Sequence, residues 1–211
     1  MALKKLEIDK GYESISCICC KQMKDIPVIR ALKKCDDCFE KEYQDAENKI
    51  KEELRQKRVL NMRIPNRYIN FIGDLEISNS DFEDLCEPGT SLAISGELGT
   101  GKTNLACQVL MHRGHGLFYA ATEINKKIAE KIQDENLIVI DDLTEVESSK
   151  QSVVDALWFL FNHRYSECKD TIITLSKTYG EVERIFGDSG LALVSRFKRW
   201  MTPVLLKNKW R

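Results

Sequence analysis

Between residues 91 and 206, short apolar runs alternate with longer stretches in which apolar residues recur every three or four positions. The runs are "SLAIS" (91–95), "GLFYAA" (116–121), "LIVI" (137–140), "TIITL" (171–175) and "PVLL" (203–206), rich in aliphatic and β-branched residues and bounded by polar ones. Continuous rather than alternating hydrophobicity predicts strands buried on both faces, as in a parallel sheet. Between the runs, "TNLACQVLMHR" (103–113) carries Leu105, Val109 and Leu110 at helical spacing. "KQSVVDALWFLFNHRY" (150–165) sets Val153, Val154, Leu157, Leu160 and Phe161 on one helical face. Helices of this kind cross over a sheet and pack on it. The pattern therefore predicts a three-layer α/β domain built on a five-stranded parallel sheet.

Upstream the pattern changes. "EYQDAENKIKEELRQKRVLNM" (42–62) contains strong helix formers and neither Gly nor Pro, with Glu and Lys spaced for i,i+4 pairing. It predicts a charged helix, which Pro65 prevents from continuing. Residues 1–45 have few large apolar side chains but hold five of the eight cysteines. The expected organisation is a small N-terminal domain (1–45), a helical linker (46–63) and the α/β domain (64–211), with no internal repeat.

Composition sharpens this picture in two ways. At 211 residues and 43% hydrophobic, the chain can bury one sizeable core and a small satellite. No segment approaches the roughly 20 apolar residues of a membrane span, and "MALKKLEIDK" lacks the apolar centre of an export signal, so a cytoplasmic location is expected. In a reducing compartment, clustered cysteines are metal ligands more often than disulfides. Cys17 and Cys20 form one CxxC pair and Cys35 and Cys38 a second, with positions 21–34 between them. That is the spacing of a tetrahedral four-cysteine zinc site of knuckle or ribbon type. A domain of this size and composition needs such a staple. A redox CxxC is the alternative, though neither pair sits in a thioredoxin-like βαβ pattern, and Cys19 is an alternative ligand to Cys17 or Cys20. Cys86, Cys107 and Cys168 read as isolated thiols.

The net charge of −1 conceals a tail, residues 189–211, with six basic residues and no acidic one. It suits either a phosphate-bearing partner or a solvated surface. Trp200 and Trp210 beside it are candidates for stacking on single-stranded DNA, or for core positions.

The candidate chemistry lies between the first predicted strand and its helix. "GELGTGKT", comprising Gly96, Glu97, Leu98, Gly99, Thr100, Gly101, Lys102 and Thr103, meets the spacing GxxxxGK[ST]. Glycines let the backbone wrap a phosphate with its N–H groups, the lysine meets the β- and γ-phosphates, and the threonine ligates magnesium. In "LIVIDDL", Asp141 and Asp142 end an apolar strand downstream of Lys102, where a parallel sheet sets its carboxyl end beside the phosphates. Asp141 is then expected to hold the magnesium through water, and Asp142 to orient or deprotonate the attacking water.

The loop, "LIVIDDL", "LFNHRYSECKDTIITLS" (160–176), "GDSGLALVSRFKR" (187–199) and "VLLKNKWR" (204–211) together resemble the DnaC/DnaI type of bacterial helicase loader and its relative, the IstB transposition ATPase. The likeness begins at "IPNRYIN" (64–70). It implies an AAA+ P-loop ATPase that binds ATP or ADP with magnesium, self-associates on a hexameric replicative DNA helicase and acts in replication initiation. Arg196, in "VSRF", matches the arginine that loaders present to a neighbour's nucleotide, with Arg199 as rival. Loaders carry a γ-phosphate-sensing asparagine at the end of the fourth strand, where "TLSK" puts Ser176; its shorter reach implies slow hydrolysis, or ATP used as a switch. Only positions 122–136 separate "GLFYAA" from "LIVI", too short a stretch for the helical insertion with which such loaders contact single-stranded DNA. Loaders of the DnaI kind also grip the helicase through an N-terminal zinc domain, which assigns that purpose to residues 1–45. The competing expectations are a transposition helper, a non-catalytic adaptor or inhibitor that binds a helicase or loader, and a P-loop kinase.

Overall fold

The computed structural model describes residues 12–16, 23–27, 36–69, 79–147, 149–176 and 179–207. The chain divides into two compact units, Met1–Arg55 and Gln56–Arg211.

In the first unit, β1 (Tyr12–Ser16) pairs antiparallel with β2 (Met23–Pro27), Tyr12 opposite Pro27 and Ser16 opposite Met23. Cys17, Cys19 and Cys20 fall between these strands in sequence; they and Cys35 lie outside the described residues. Cys38 lies in the first turn of α1 (Asp36–Asn61), the helix predicted over 42–62, which starts six residues earlier. Asp36 and Asp37 in its first turn and Arg58 in its last complement the helix dipole. The last turn of α1 belongs to the second unit, where Val59 and Met62 are buried in the core. Arg63, in a left-handed conformation (φ 61°), turns the chain away before Pro65.

The second unit continues with α2 (Asn66–Ile69), α3 (Asn79–Cys86), β3 (Ser91–Gly96), α4 (Lys102–Arg113), β4 (Leu117–Ala120), α5 (Lys126–Ile132), β5 (Leu137–Asp141), α6 (Gln151–Ser166), β6 (Asp170–Leu175), α7 (Tyr179–Phe186), α8 (Gly190–Trp200) and β7 (Met201–Leu206). The five predicted runs are its five strands, all parallel, in the order β4-β5-β6-β3-β7. Every residue of β5 is buried because the sheet is covered on both sides. Side chains alternate across a strand, so Ile138 and Ile140 join a core with α5, α6, α7 and α8, while Leu137 and Val139 join the opposite core with α3 and α4. This is the predicted three-layer α/β architecture on a five-stranded parallel sheet. A parallel sheet collects the carboxyl ends of its strands at one edge, so β3, β5 and β6 all deliver their last residues to the same place.

Among the described residues, no helix is long and apolar enough to cross a membrane. Cys86 and Cys107 are buried thiols, their pKa values pushed up by burial to about 11 and about 12. They are protonated and inert at neutral pH.

Candidate nucleotide-binding site

The loop between β3 and α4 is shaped by glycines at two positions that disfavour a side chain, one by close approach and one by its backbone conformation. A Cβ on Gly96 would lie 2.5 Å from the Leu206 carbonyl oxygen and 2.8 Å from Thr100 Oγ1, because β7 runs alongside. Gly101 caps α4 in the left-handed region (φ 89°, ψ 15°) and offers no side-chain cap. The first N–H groups of α4 therefore have no capping side chain, which is the arrangement that receives an anion. Within the loop, Thr100 Oγ1 donates to the Glu97 carbonyl at 2.9 Å. Lys102 is buried, and its Nζ donates to the carbonyls of Gly96 and Glu97 at 2.9 and 2.8 Å.

Opposite the loop, β5 ends on Asp141. Thr103 Oγ1 reaches both carboxylate oxygens, at 3.0 and 3.2 Å, and Thr174 Oγ1 donates to Asp141 Oδ1 at 2.7 Å. Thr174 also accepts the Asp142 N–H at 2.8 Å, so one hydroxyl from β6 fixes both aspartates. Asp142 then turns the chain in the left-handed region (φ 53°), which aspartate tolerates better than most residues. Ser176 sits just beyond β6. Its N–H donates to Thr144 Oγ1 at 3.0 Å, its Oγ lies 2.6 Å from the same atom, and its hydroxyl donates to Glu145 Oε1 at 3.2 Å. With the serine proton committed to Glu145, the threonine proton points to Ser176 Oγ.

The charges are unequal. Asp141, Asp142 and Glu145 gather around Lys102. Burial lowers the Lys102 pKa, and the three carboxylates oppose that shift. Burial raises the Asp142 pKa, Asp141 and Glu145 raise it further, and Lys102 and Arg67 pull it back. Arg67, exposed on α2 with its guanidinium 4.6 Å from the Tyr68 ring centroid, thus contributes to the field at the site. Such an oxygen-rich, anionic corner suits a hard divalent cation: Thr103 and Asp141 are the donors that fit magnesium.

A raised carboxyl pKa makes Asp142 a net liability for the empty fold. The folded state holds its proton to higher pH than the unfolded chain, so stability is lost as pH rises from the unfolded pKa through the folded one. At neutral pH Asp142→Asn is therefore expected to raise Tm by a few degrees in the absence of nucleotide, with the gain vanishing toward pH 4. Melting curves at both pH values check this; an unchanged or lowered Tm at pH 7 contradicts the charge argument.

The structure thus brings together Lys102, Thr103, Asp141, Asp142 and Ser176, and adds four residues to which no sequence motif assigns a role: Arg67, Thr144, Glu145 and Thr174. Thr174 was detectable in principle as a polar residue inside an apolar strand. Arg196 lies on α8 facing α6: it donates to Asn162 Oδ1, and its guanidinium is 5.3 and 5.8 Å from the Trp158 and Tyr165 ring centroids. Arg199, the rival, is exposed. Trp200 packs edge-on against Tyr165 at 5.8 Å, and Trp210 lies outside the described residues. Among the described residues no group of three or more His, Cys, Asp or Glu is arranged to hold a metal ion; three of the four cysteines expected to bind zinc lie outside them.

No protein-family model matches the chain, and no curated protein matches it. Solved structures share its fold. The crystal structure of the DnaC helicase loader aligns with 68% of this chain and 100% of its own, at TM-score 0.53 and 19% identity. That of DnaI aligns with 70% of this chain and 93% of its own, at TM-score 0.56 and 18% identity. AMPPCP-bound DnaA from Aquifex aeolicus aligns with 68% of this chain at TM-score 0.54 and 19% identity, over 51% of its own length. The chain resembles the DnaC and DnaI proteins in the fold of its α/β domain.

Proposed function

We propose that this protein is an ATP-dependent loader of a hexameric replicative DNA helicase, acting in replication initiation. The observation that carries the nucleotide half of the reading is the convergence of buried Lys102, the uncapped start of α4 and the Thr103–Asp141 pair at the carboxyl edge of the sheet. The fold shared with a helicase loader supports the other half.

In this reading Gly96, Glu97, Leu98, Gly99, Thr100 and Gly101 wrap the phosphates of ATP or ADP with backbone N–H groups. Lys102 leaves its two carbonyl partners for the β- and γ-phosphates, and Thr103 and Asp141 hold magnesium, which supplies charge neutralisation at the phosphates. Asp142 orients the attacking water. Ser176 is engaged by Thr144 and Glu145, which favours a slow ATPase or a binding switch over rapid turnover. Arg196 of one copy, with Arg199 as rival, completes the site of a neighbour assembled on the helicase. To serve in trans, Arg196 must leave Asn162 and the two aromatic rings, whereas Arg199 is already exposed. Arg196→Ala is expected to leave nucleotide binding by the isolated protein unchanged and to remove the helicase-stimulated part of hydrolysis. If Arg199→Ala does so instead, the roles are exchanged.

Residues 1–45 are the helicase grip, stapled by zinc on Cys17, Cys20, Cys35 and Cys38. In sequence, one CxxC falls between two antiparallel strands and the other ends in the first turn of a helix, settings typical of zinc knuckles. The test is light scattering after size exclusion on the protein mixed with a replicative helicase, with and without ATP and magnesium, alongside Cys35→Ser and a zinc assay. One zinc per chain and a complex lost in the variant are expected. A complex that survives the loss of zinc removes the grip from this domain, and the lack of any complex removes that helicase as the partner.

A further inference from the structure

One exposed side of α1 carries a pattern that the nucleotide site does not use. Tyr43, Ala46, Ile50 and Leu54, spaced at three and four residues, form one stripe along the helix, and Tyr43, Ile50 and Leu54 are 60, 58 and 50% exposed. Val59, which anchors α1 in the α/β core, points from the opposite side of the helix.

Charge is arranged along α1 in two blocks. Six acidic residues against one lysine lie between 36 and 47, and five basic against two acidic lie between 48 and 58. The helix dipole rewards such a bias only in the first and last turns, whereas this one runs the length of the helix. Beside the apolar stripe, on one flank, stand Glu40, Glu47, Lys51 and Arg58. Read backwards, that row becomes basic, basic, acidic, acidic. It is the complement of itself.

We propose that α1 pairs antiparallel with α1 of a second copy of this chain. In a two-fold antiparallel pair the same flank of each helix faces its counterpart. Glu40 then meets Arg58 of the second copy, Glu47 meets its Lys51, and Tyr43 packs against its Leu54 with Ile50 between. The contact is self-complementary in one direction only: a parallel pair sets Glu40 on Glu40 and Lys51 on Lys51. Within one chain Glu47 and Lys51 already pair at 2.7 Å, and the second copy's Lys51 and Glu47 would join that pair. With four apolar residues per copy the pair is weak by itself. It would act where copies are already gathered at high local concentration.

The experiment uses the full chain without nucleotide, in sedimentation across a wide concentration range at low salt. The protein is expected to dimerise reversibly, with the midpoint moving to higher concentration as salt is added. Two double variants decide the matter, E40K/E47K, whose flank is all basic, and K51E/R58E, whose flank is all acidic. Each alone is expected to need at least about tenfold more protein to dimerise. Mixed in equal amounts, they should pair with each other at or below the parental midpoint. Circular dichroism of each variant checks that α1 is still helical. Ile50→Glu should abolish pairing in every combination. A parental chain that stays monomeric, a dimer indifferent to both reversals, or reversed variants that do not pair with each other overturns the proposal.

Discussion

Replacing Lys102 with alanine is expected to weaken ATP binding by about 10- to 100-fold and to remove hydrolysis, the largest functional effect of any single change at the site. A hydrogen bond to a charged group contributes ~1.5–3 kcal/mol, which converts to that range of affinity. Here the side chain contributes in two further ways. It is the buried cation set against Asp141, Asp142 and Glu145, so its loss leaves three carboxylates facing the phosphates. It also satisfies the Gly96 and Glu97 carbonyls, so truncation loosens the loop before any ligand arrives. Titration with ATP and magnesium, followed by calorimetry, measures the first effect. The melting temperature without ligand measures the second. A variant that binds ATP as tightly as the parent excludes the loop as a phosphate site, while a variant that binds weakly but remains folded confirms its role.

The α/β core was legible because a buried strand writes continuous apolar runs, and the five strands stand where the five runs predicted them. The crossover helices α4 and α6 were legible for the matching reason, a sustained apolar face. Short elements left weaker marks. α5 has seven residues and exposes most of them, so its period is barely sampled. The α7–α8 pair is amphipathic, but 187–199 stands out in the sequence for its motif rather than its period. In the site, Lys102, Thr103 and Asp141 were readable from spacing, since loop and strand end have fixed positions along the chain. The roles of Thr174 and Thr144 were not: they depend on β6 lying between β5 and β3, and strand order is a property of packing that no local spacing encodes. Arg67 lies on α2, far from Asp142 along the chain, and meets its field only through the fold.

Arg164 shows the same limit on the side of stability, and it carries the largest structural prediction. Its side chain is fully buried, and nothing in the sequence pattern marks it apart from its neighbours on α6. Nε donates to Thr171 Oγ1 at 2.9 Å, Nη1 to the carbonyls of Ile132, Gln133 and Glu135 at 3.3, 3.0 and 2.8 Å, and Nη2 to the Asp170 carbonyl. Burial pulls its pKa down to about 10, which leaves it charged at neutral pH. One guanidinium thus caps the end of α5, fixes the entry to β5 and ties the start of β6 beside it. Replacing it with methionine fills most of the volume but strands these acceptors in the core. An unsatisfied buried acceptor costs ~1–3 kcal/mol, so a loss of at least about 3 kcal/mol is expected, or a fall in Tm of roughly 6–12 °C for a domain of this size. Lysine should rescue little, because an ammonium cannot reach acceptors spread around a planar fork. If Arg164→Met melts within a degree or two of the parent, the network is decorative and β6 is held by the sheet alone. If it falls as expected, the register that brings Thr174 to Asp141 depends on an α6 arginine bonded to the far end of the same strand, and nucleotide affinity should fall with stability as the melting midpoint is approached.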